Sequence, residues 1–366
     1  MKTVMLVFGT RPEAIKMCPL IKELKKRDGV RVVVCVTGQH RQMLDRVLEV
    51  FDVHPEVDFS VMREGQSLFD VTVRVLEGMC KVLGEIKPDI VLVHGDTTTA
   101  FTAALACFYN KIDVGHVEAG LRTYDIGNPY PEEFNRRAIG IIAKYNFAPT
   151  EKARQNLIRE GATADGIFVT GNTVIDALKS TVRADYSHPL LTWVGDSRLL
   201  LLTAHRRENI GETMEGMFKA IKRAVSERSD VKVIYPIHMN PAVRMAARVF
   251  EGESRIKIIE PLDVIDFHNF LARCHMVLTD SGGIQEEAPS LGKPVILMRD
   301  TTERPEGVEA GTVKLSGRNE EGIYNDISRL LDEDALYTAM SSAANPYGDG
   351  LASVRIADIL ENKQNS

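Results

Sequence analysis

Met276-Val277-Leu278-Thr279-Asp280-Ser281-Gly282-Gly283-Ile284-Gln285-Glu286-Glu287 decides how this chain is read. An apolar run ends at Leu278, a small glycine-containing turn follows, and a stretch of helical character begins. A strand that passes through such a turn into a helix exposes several backbone N–H groups where the partial positive charge of the helix collects. That is a place for a phosphate. Glu287 lies about one helical turn beyond the glycines, within reach of a ribose attached to that phosphate. Ser-Gly-Gly turns also simply end strands and cap helices. The junction therefore gains its meaning from the rest of the chain.

Outward from this junction, short runs rich in Val and Ile alternate with longer helical patterns. The runs predict strands at Thr3–Phe8, Arg31–Val36, Asp89–Val93, Asp113–Val117, Tyr145–Ala148 and Ile167–Thr170. After a break between about Ser180 and Ser197, they resume at Leu199–Thr203, Lys232–Tyr235, Ile256–Ile259, Met276–Leu278 and Pro294–Leu297. Continuous rather than alternating apolar runs predict strands buried on both faces, hence parallel sheets covered by helices. The expected class is α/β with two Rossmann-like domains facing a central cleft. The connection is placed near Gly171 to Thr173, just before the break that holds Tyr186-Ser187-His188-Pro189 and the single tryptophan, Trp193. The expected domains are 1–171 with 352–366, and 172–351. Ligands should bind where the C-terminal ends of the strands converge.

The bulk composition narrows the functional classes. With 366 residues the chain is long enough for two domains, and 44% apolar with 26% charged residues fits packed cores. A net charge of -6 without a long Lys/Arg run predicts no nucleic-acid partner. The five cysteines form no C-x-x-C pair. Cys35, Cys107 and Cys274 sit in apolar surroundings and read as small core residues, which predicts a reducing compartment and no thiolate zinc site. The apolar run Val4–Phe8 is too short for a signal core or a membrane span, so a cytoplasmic location and no membrane association are expected.

Polar residues cluster directly after the expected strands. Phe8-Gly9-Thr10-Arg11-Pro12-Glu13-Ala14-Ile15-Lys16 offers Arg11 and Lys16 to one anion, with Pro12 suited to the first helical turn. His94-Gly95-Asp96-Thr97-Thr98-Thr99 and Gly115-His116-Val117-Glu118-Ala119-Gly120-Leu121-Arg122 each carry an acid, Asp96 and Glu118. Pro129-Tyr130-Pro131-Glu132-Glu133 supplies a third. Asp96, Glu118 and Glu132 gathered at one sheet edge would raise at least one carboxyl pKa and suit proton transfer. Singly, each could as well be a cap or an ion-pair partner. In the second half, His205 and His238 follow strands. His205 reads as a phosphate partner or acid, and His238 more simply as a structural histidine. Arg304 follows the last strand and is offered to a diphosphate or to Glu287. Neither G-x-x-x-x-G-K-[ST] nor G-x-G-x-x-G occurs, nor a His-x-His pair. ATP hydrolysis and a bound nicotinamide lose their usual warrants, and a metal at the diphosphate is not required.

Taken in order, these segments resemble the non-hydrolysing UDP-N-acetylglucosamine 2-epimerases. The likeness is carried by Phe8–Lys16, His94–Thr99, Gly115–Arg122, Pro131–Glu133, Thr170-Gly171-Asn172-Thr173, His205–Glu208, Thr279–Gly292, Arg299–Glu306 and Asn345–Gly350. It implies a fold of the GT-B glycosyltransferase type in which a C-terminal helix, roughly Ala352 to Asn362, returns to the first domain. It also implies a homodimer and reversible C2 epimerisation of UDP-GlcNAc to UDP-ManNAc without NAD or metal, feeding cell-surface polysaccharide. UDP would be eliminated to give 2-acetamidoglucal and re-added after proton exchange at C2. By this resemblance Arg11, Lys16, His205, Ser281, Gly282, Gly283, Glu287 and Arg304 hold UDP, and Phe267 with the backbone near Leu262 holds the uracil. Asp96, Glu118 and Glu132 form the acid/base group, joined by His205. Some family members are activated by a second UDP-GlcNAc. The residues linked to that site resemble Gln39, Gln42, Arg206 or Arg207, and His238, but Gly65 stands where activated members carry an arginine. The rival readings are a hydrolysing 2-epimerase releasing free ManNAc, another GT-B UDP-sugar enzyme, and a non-catalytic UDP-sugar sensor.

Overall fold

A computed structural model describes residues 1–38, 41–61, 63 and 65–362. The chain divides into two compact units, Met1–Ser180 with Tyr347–Ser366, and Thr181–Pro346. The first holds strands β1 (Lys2–Phe8), β2 (Val30–Val36), β3 (Val57–Asp58), β4 (Ile90–His94), β5 (Asp113–Val117), β6 (Tyr145–Ala148) and β7 (Ile167–Val169). Their order in the sheet is β3-β2-β1-β4-β5-β6-β7. The second holds β8 (Arg198–Thr203), β9 (Val231–Pro236), β10 (Ile256–Ile259), β11 (Met276–Thr279), β12 (Val295–Leu297) and β13 (Val313–Leu315), in the order β10-β9-β8-β11-β12-β13. Every pairing is parallel. The central strands are buried along their length, as the unbroken apolar runs require: Val4 to Phe8, Ile90 to Val93 and Leu199 to Leu202 are all within 2% of full burial.

Both sheets wind outward in two directions from a central pair, β1 with β4 and β8 with β11. At such a switch point the loops leaving the two strands diverge and open a crevice at their carboxyl ends. That topology singles out four loops. They begin at Gly9, Gly95, Ala204 and Asp280, and all four carry polar residues read from the sequence.

Two short edge strands, β3 and β13, were not expected. The expected boundaries near 171/172 and 351/352 also differ from the division observed at 180/181 and 346/347. Helix Thr173–Thr181 stays with the first unit because Val174 and Ile175 bury against Tyr347, and Asp176 accepts the backbone N–H groups of Ala352 and Ser353. In this way Asp176 caps the C-terminal helix Ala352–Asn362, which packs on helix Arg11–Leu24 of the same unit. The Pro189–Val194 helix belongs to the second unit, where Tyr186 and Trp193 lie against its core. Among the described residues no helix is long and apolar enough to cross a membrane.

Candidate active site

In the first unit, β1 ends at Phe8 and the chain turns into a helix capped at Thr10. Glu13, at the third helical position, is 2% exposed and accepts from the backbone N–H groups of Gly9 and Thr10 and from the hydroxyls of Thr10 and Thr97. The carboxylate thereby ties the loop after β1 to the loop after β4. Burial still lifts its pKa above the ordinary value despite these four donors. Sequence reasoning missed Glu13, since an acid in a first helical turn is ordinary.

Lys16, one turn further along the helix, forms an ion pair with Glu118. Glu118 follows β5 with a left-handed backbone (φ 64°), a conformation unusual for a residue with a side chain and concentrated at functional sites. Asn172 donates to the same carboxylate at 2.7 Å, and His94 Nε2 lies 3.7 Å from it. Burial pushes the His94 imidazole down to about 4, so it is neutral at pH 7. Asp96 pairs with Arg136, and Asn135 donates to its backbone carbonyl. Burial nonetheless raises the Asp96 carboxyl above its usual range, against the pull of Arg136. Arg136 itself is seated next to Glu133, which accepts from the Thr123 and Tyr124 N–H groups. Glu132 is half-buried at the opening of that same helix, Glu132–Ile142. Asp96 and Glu118 thus leave neighbouring strands side by side, and Glu132 heads the helix whose Arg136 holds Asp96. Arg11 is half-buried at the first helical position.

In the second unit the junction between β11 and the helix Ile284–Ser290 is built around Asp280. This carboxylate is fully buried and accepts from the backbone N–H groups of His205 and Arg206 and from Asn209 Nδ2, at 2.9–3.1 Å. His205 Nδ1 lies 3.5 Å away. Burial pushes its pKa up, but these donors outweigh it and hold Asp280 below the ordinary range. The loop after β8 is therefore clamped to the turn after β11. His205 is left 44% exposed, its ring edge-on to His238 at 5.3 Å. His238 Nδ1 accepts from Asn240 N–H in a local turn.

Ser281, Gly282 and Gly283 are half-exposed over a buried ion network. A Cβ on Gly282 would fall 2.7 Å from Glu303 Oε1 and 2.8 Å from an Arg304 nitrogen, so a side chain there would displace the ends of this ion network. Arg304 pairs with Glu286 and with Glu303. It lies beneath the turn, with its side chain 9% exposed. Glu287 points to His268, with Nε2 3.6 Å from its carboxylate and Nδ1 2.7 Å from the Thr181 hydroxyl. Phe267 and Leu262 rest partly buried on the second core. Arg206 reaches Glu303 at 3.5 Å. Gln39 lies outside the described residues, as do the side chains of Gln42 and Arg207.

Glu303 predicts an acid dependence of stability. Burial raises its carboxyl, but the guanidinium groups of Arg304, Arg299 and Arg206 bring it from 4.5 down to about 2. A carboxylate depressed in the fold stabilises it above the unfolded pKa and loses that effect as pH falls towards the folded one. Its worth at neutral pH is about 3 kcal/mol. Urea titrations should find this stability declining from about pH 5 towards pH 2. Glu303→Gln should be less stable at neutral pH, with a flatter acid limb.

A family model described as UDP-N-acetylglucosamine 2-epimerase matches residues 22–361. The chain belongs to this epimerase family. A UDP-N-acetylglucosamine 2-epimerase of Bacillus subtilis is 60% identical over 358 residues, covering 98% of this chain and 94% of that one. A Staphylococcus aureus structure described as MnaA with UDP superposes with a TM-score of 0.92 at 49% identity, covering 100% of this chain and 97% of that one. A Neisseria meningitidis UDP-GlcNAc 2-epimerase bound to UDP-GlcNAc superposes with a TM-score of 0.91 at 44% identity, covering 98% and 100%. The epimerase fold is thus of the GT-B type, two parallel-sheet α/β domains with Rossmann-like strand order. Among the described residues of this epimerase, no group of three His, Cys, Asp or Glu side chains could hold a metal ion.

Proposed function

We propose that this chain interconverts UDP-GlcNAc and UDP-ManNAc by exchanging the proton at C2, keeping the sugar from water. The observation that carries the reading is the pair Asp96 and Glu118. These are two carboxylates on the loops after the neighbouring strands β4 and β5, beside the switch point between β1 and β4, each held by a cation, in a chain of this family. The C2 proton is not next to a carbonyl and is weakly acidic. Loss of UDP from C1 gives oxocarbenium character that acidifies it, and a carboxylate then takes the C2 proton, leaving enzyme-bound 2-acetamidoglucal. A proton then returns to the other face, and UDP adds back. Asp96, with its raised pKa, suits the proton-carrying role. Glu118, held by the Lys16 ammonium and the Asn172 amide, suits the carboxylate role. Glu132 completes the acid/base group.

The leaving UDP needs donors placed where its charge develops. We assign these to Arg11, Lys16, His205 and the Ser281–Gly283 turn, with Arg304 stiffening the turn from below. Glu287, oriented by His268, takes the ribose, and Phe267 with Leu262 takes the uracil. No nicotinamide or metal enters this scheme, and the product would feed cell-surface polysaccharide from the cytoplasm. A homodimer is supported by exposed apolar side chains on three adjacent helices, including Phe69 (85% exposed) and Ile141 (86%). Sedimentation at twice the chain mass is the expected result.

Product analysis tests the reading. Purified enzyme with UDP-GlcNAc should yield UDP-ManNAc as the only new sugar. Free ManNAc with UDP would mean the hydrolysing reaction. Binding without any new sugar would mean a transferase lacking its acceptor, or a sensor.

A further inference from the structure

The Thr170-Gly171-Asn172-Thr173 segment enters the scheme above only through the Asn172 amide on Glu118. Here the chain leaving the first sheet passes alongside the segment by which it returns. The Asn172 backbone N–H donates to the Tyr347 carbonyl at 2.7 Å. The two segments touch through glycines: a Cβ on Gly171 would fall 3.2 Å from Gly348 Cα, and one on Gly348 would fall 3.1 Å from Gly171 Cα. Both have left-handed backbones, with φ +85° and +121°. Lys179 donates to the Gly350 carbonyl and closes the junction further along. Tyr347 is fully buried against Val174, Ile175 and Ile15, and Ile15 precedes Lys16 on its helix.

The Asn172 side chain is 2% exposed and its orientation is fixed by its own two ends. Oδ1 accepts from Val174 N–H at 3.2 Å, capping helix Thr173–Thr181. Nδ2 is then the end that faces Glu118, at 2.7 Å. We propose that Asn172 is a positioning residue for the epimerisation, which fixes the Glu118 carboxylate against the paired crossing segments so that it meets the sugar in one orientation. This rests on the acid/base role of Glu118 proposed above. Lys16 attracts Glu118 but, as a flexible ammonium, does not define a plane for it. A short amide anchored at both ends does. Among the described residues, the charged or titratable groups around Glu118 also include His94 on β4, Asp96 on the loop after it, and His116 on β5.

Asn172→Asp separates positioning from mere structure. Its Oδ1 still caps Val174, but a carboxylate oxygen now stands where an N–H faced Glu118. While the two carboxyls share a proton, the donor is restored; when both ionise, they repel. The expected result is a kcat deficit of roughly 10- to 100-fold near pH 8 that narrows to within about threefold near pH 5.5. UDP affinity measured by calorimetry should stay within about threefold of wild type. Asn172→Ser, which keeps a capping hydroxyl but cannot reach Glu118, should lose kcat roughly tenfold with an unchanged unfolding midpoint. A deficit constant across pH, or unchanged kcat in both variants, would overturn the proposal. Glu118→Gln keeps the two levels apart. Normal turnover in that variant would remove the acid/base reading itself. An inactive Glu118→Gln beside a pH-independent Asn172→Asp would remove only the positioning role.

Discussion

Asp96→Asn is expected to lower kcat by roughly 10²- to 10⁴-fold while leaving UDP affinity within a few-fold of wild type. The substitution keeps the shape of the side chain and one acceptor for Arg136, so the loop after β4 should stay in place. What it removes is a carboxyl that can both hold and release a proton. Burial, and the nearby charge of Glu118, raise the Asp96 carboxyl above its ordinary value, and an amide cannot titrate in its place. Glu118→Gln and Glu132→Gln should act in the same sense. Steady-state kinetics with UDP calorimetry on the same preparations check this. Normal turnover in all three would end the acid/base assignment, whereas lost turnover with equally lost UDP binding would move these acids into substrate holding.

The second large effect belongs to Asp280. Asp280→Asn should destabilise the second unit by roughly 2–5 kcal/mol and weaken UDP binding by more than tenfold. The carboxylate accepts from two backbone N–H groups and an asparagine amide in a fully buried setting. An asparagine there keeps one acceptor oxygen and turns an NH₂ group towards donors. The loop carrying His205 then loses its clamp to the Ser281–Gly283 turn. Urea unfolding and UDP calorimetry together check this. The two variants should therefore separate cleanly: Asp96→Asn spares binding and loses turnover, whereas Asp280→Asn loses stability and binding first. An Asp280→Asn protein with normal UDP affinity would mean that the two loops are placed independently.

Much of this was legible before any coordinates. The two parallel sheets follow from apolar runs without alternation, and every strand expected from them is present. The two that escaped, Val57–Asp58 and Val313–Leu315, are edge strands of two and three residues with a charged member each, too short to form a pattern. The division between the units was displaced because helix Thr173–Thr181 reads like the first helix of a new domain. Only the contacts of Asp176 and Tyr347 assign it to the old one. Loop residues at strand ends, such as Asp96, Glu118 and His205, could be found by position. The residues that hold them could not. Glu13 serves Thr97, Asp280 serves His205, His268 serves Glu287 and Asn172 serves Glu118 across separations in sequence that no local pattern encodes. The sequence offers Arg304 to a diphosphate or to Glu287, and its place under Gly282 emerges only when Glu286 and Glu303 are brought to it.

The central claim is proton exchange at C2, and proton NMR of the enzyme with UDP-GlcNAc in D2O tests it most directly. The account predicts UDP-ManNAc accumulating with deuterium at C2, and deuterium entering the UDP-GlcNAc pool as the reaction reverses. UDP-ManNAc formed with its C2 hydrogen fully retained would contradict it.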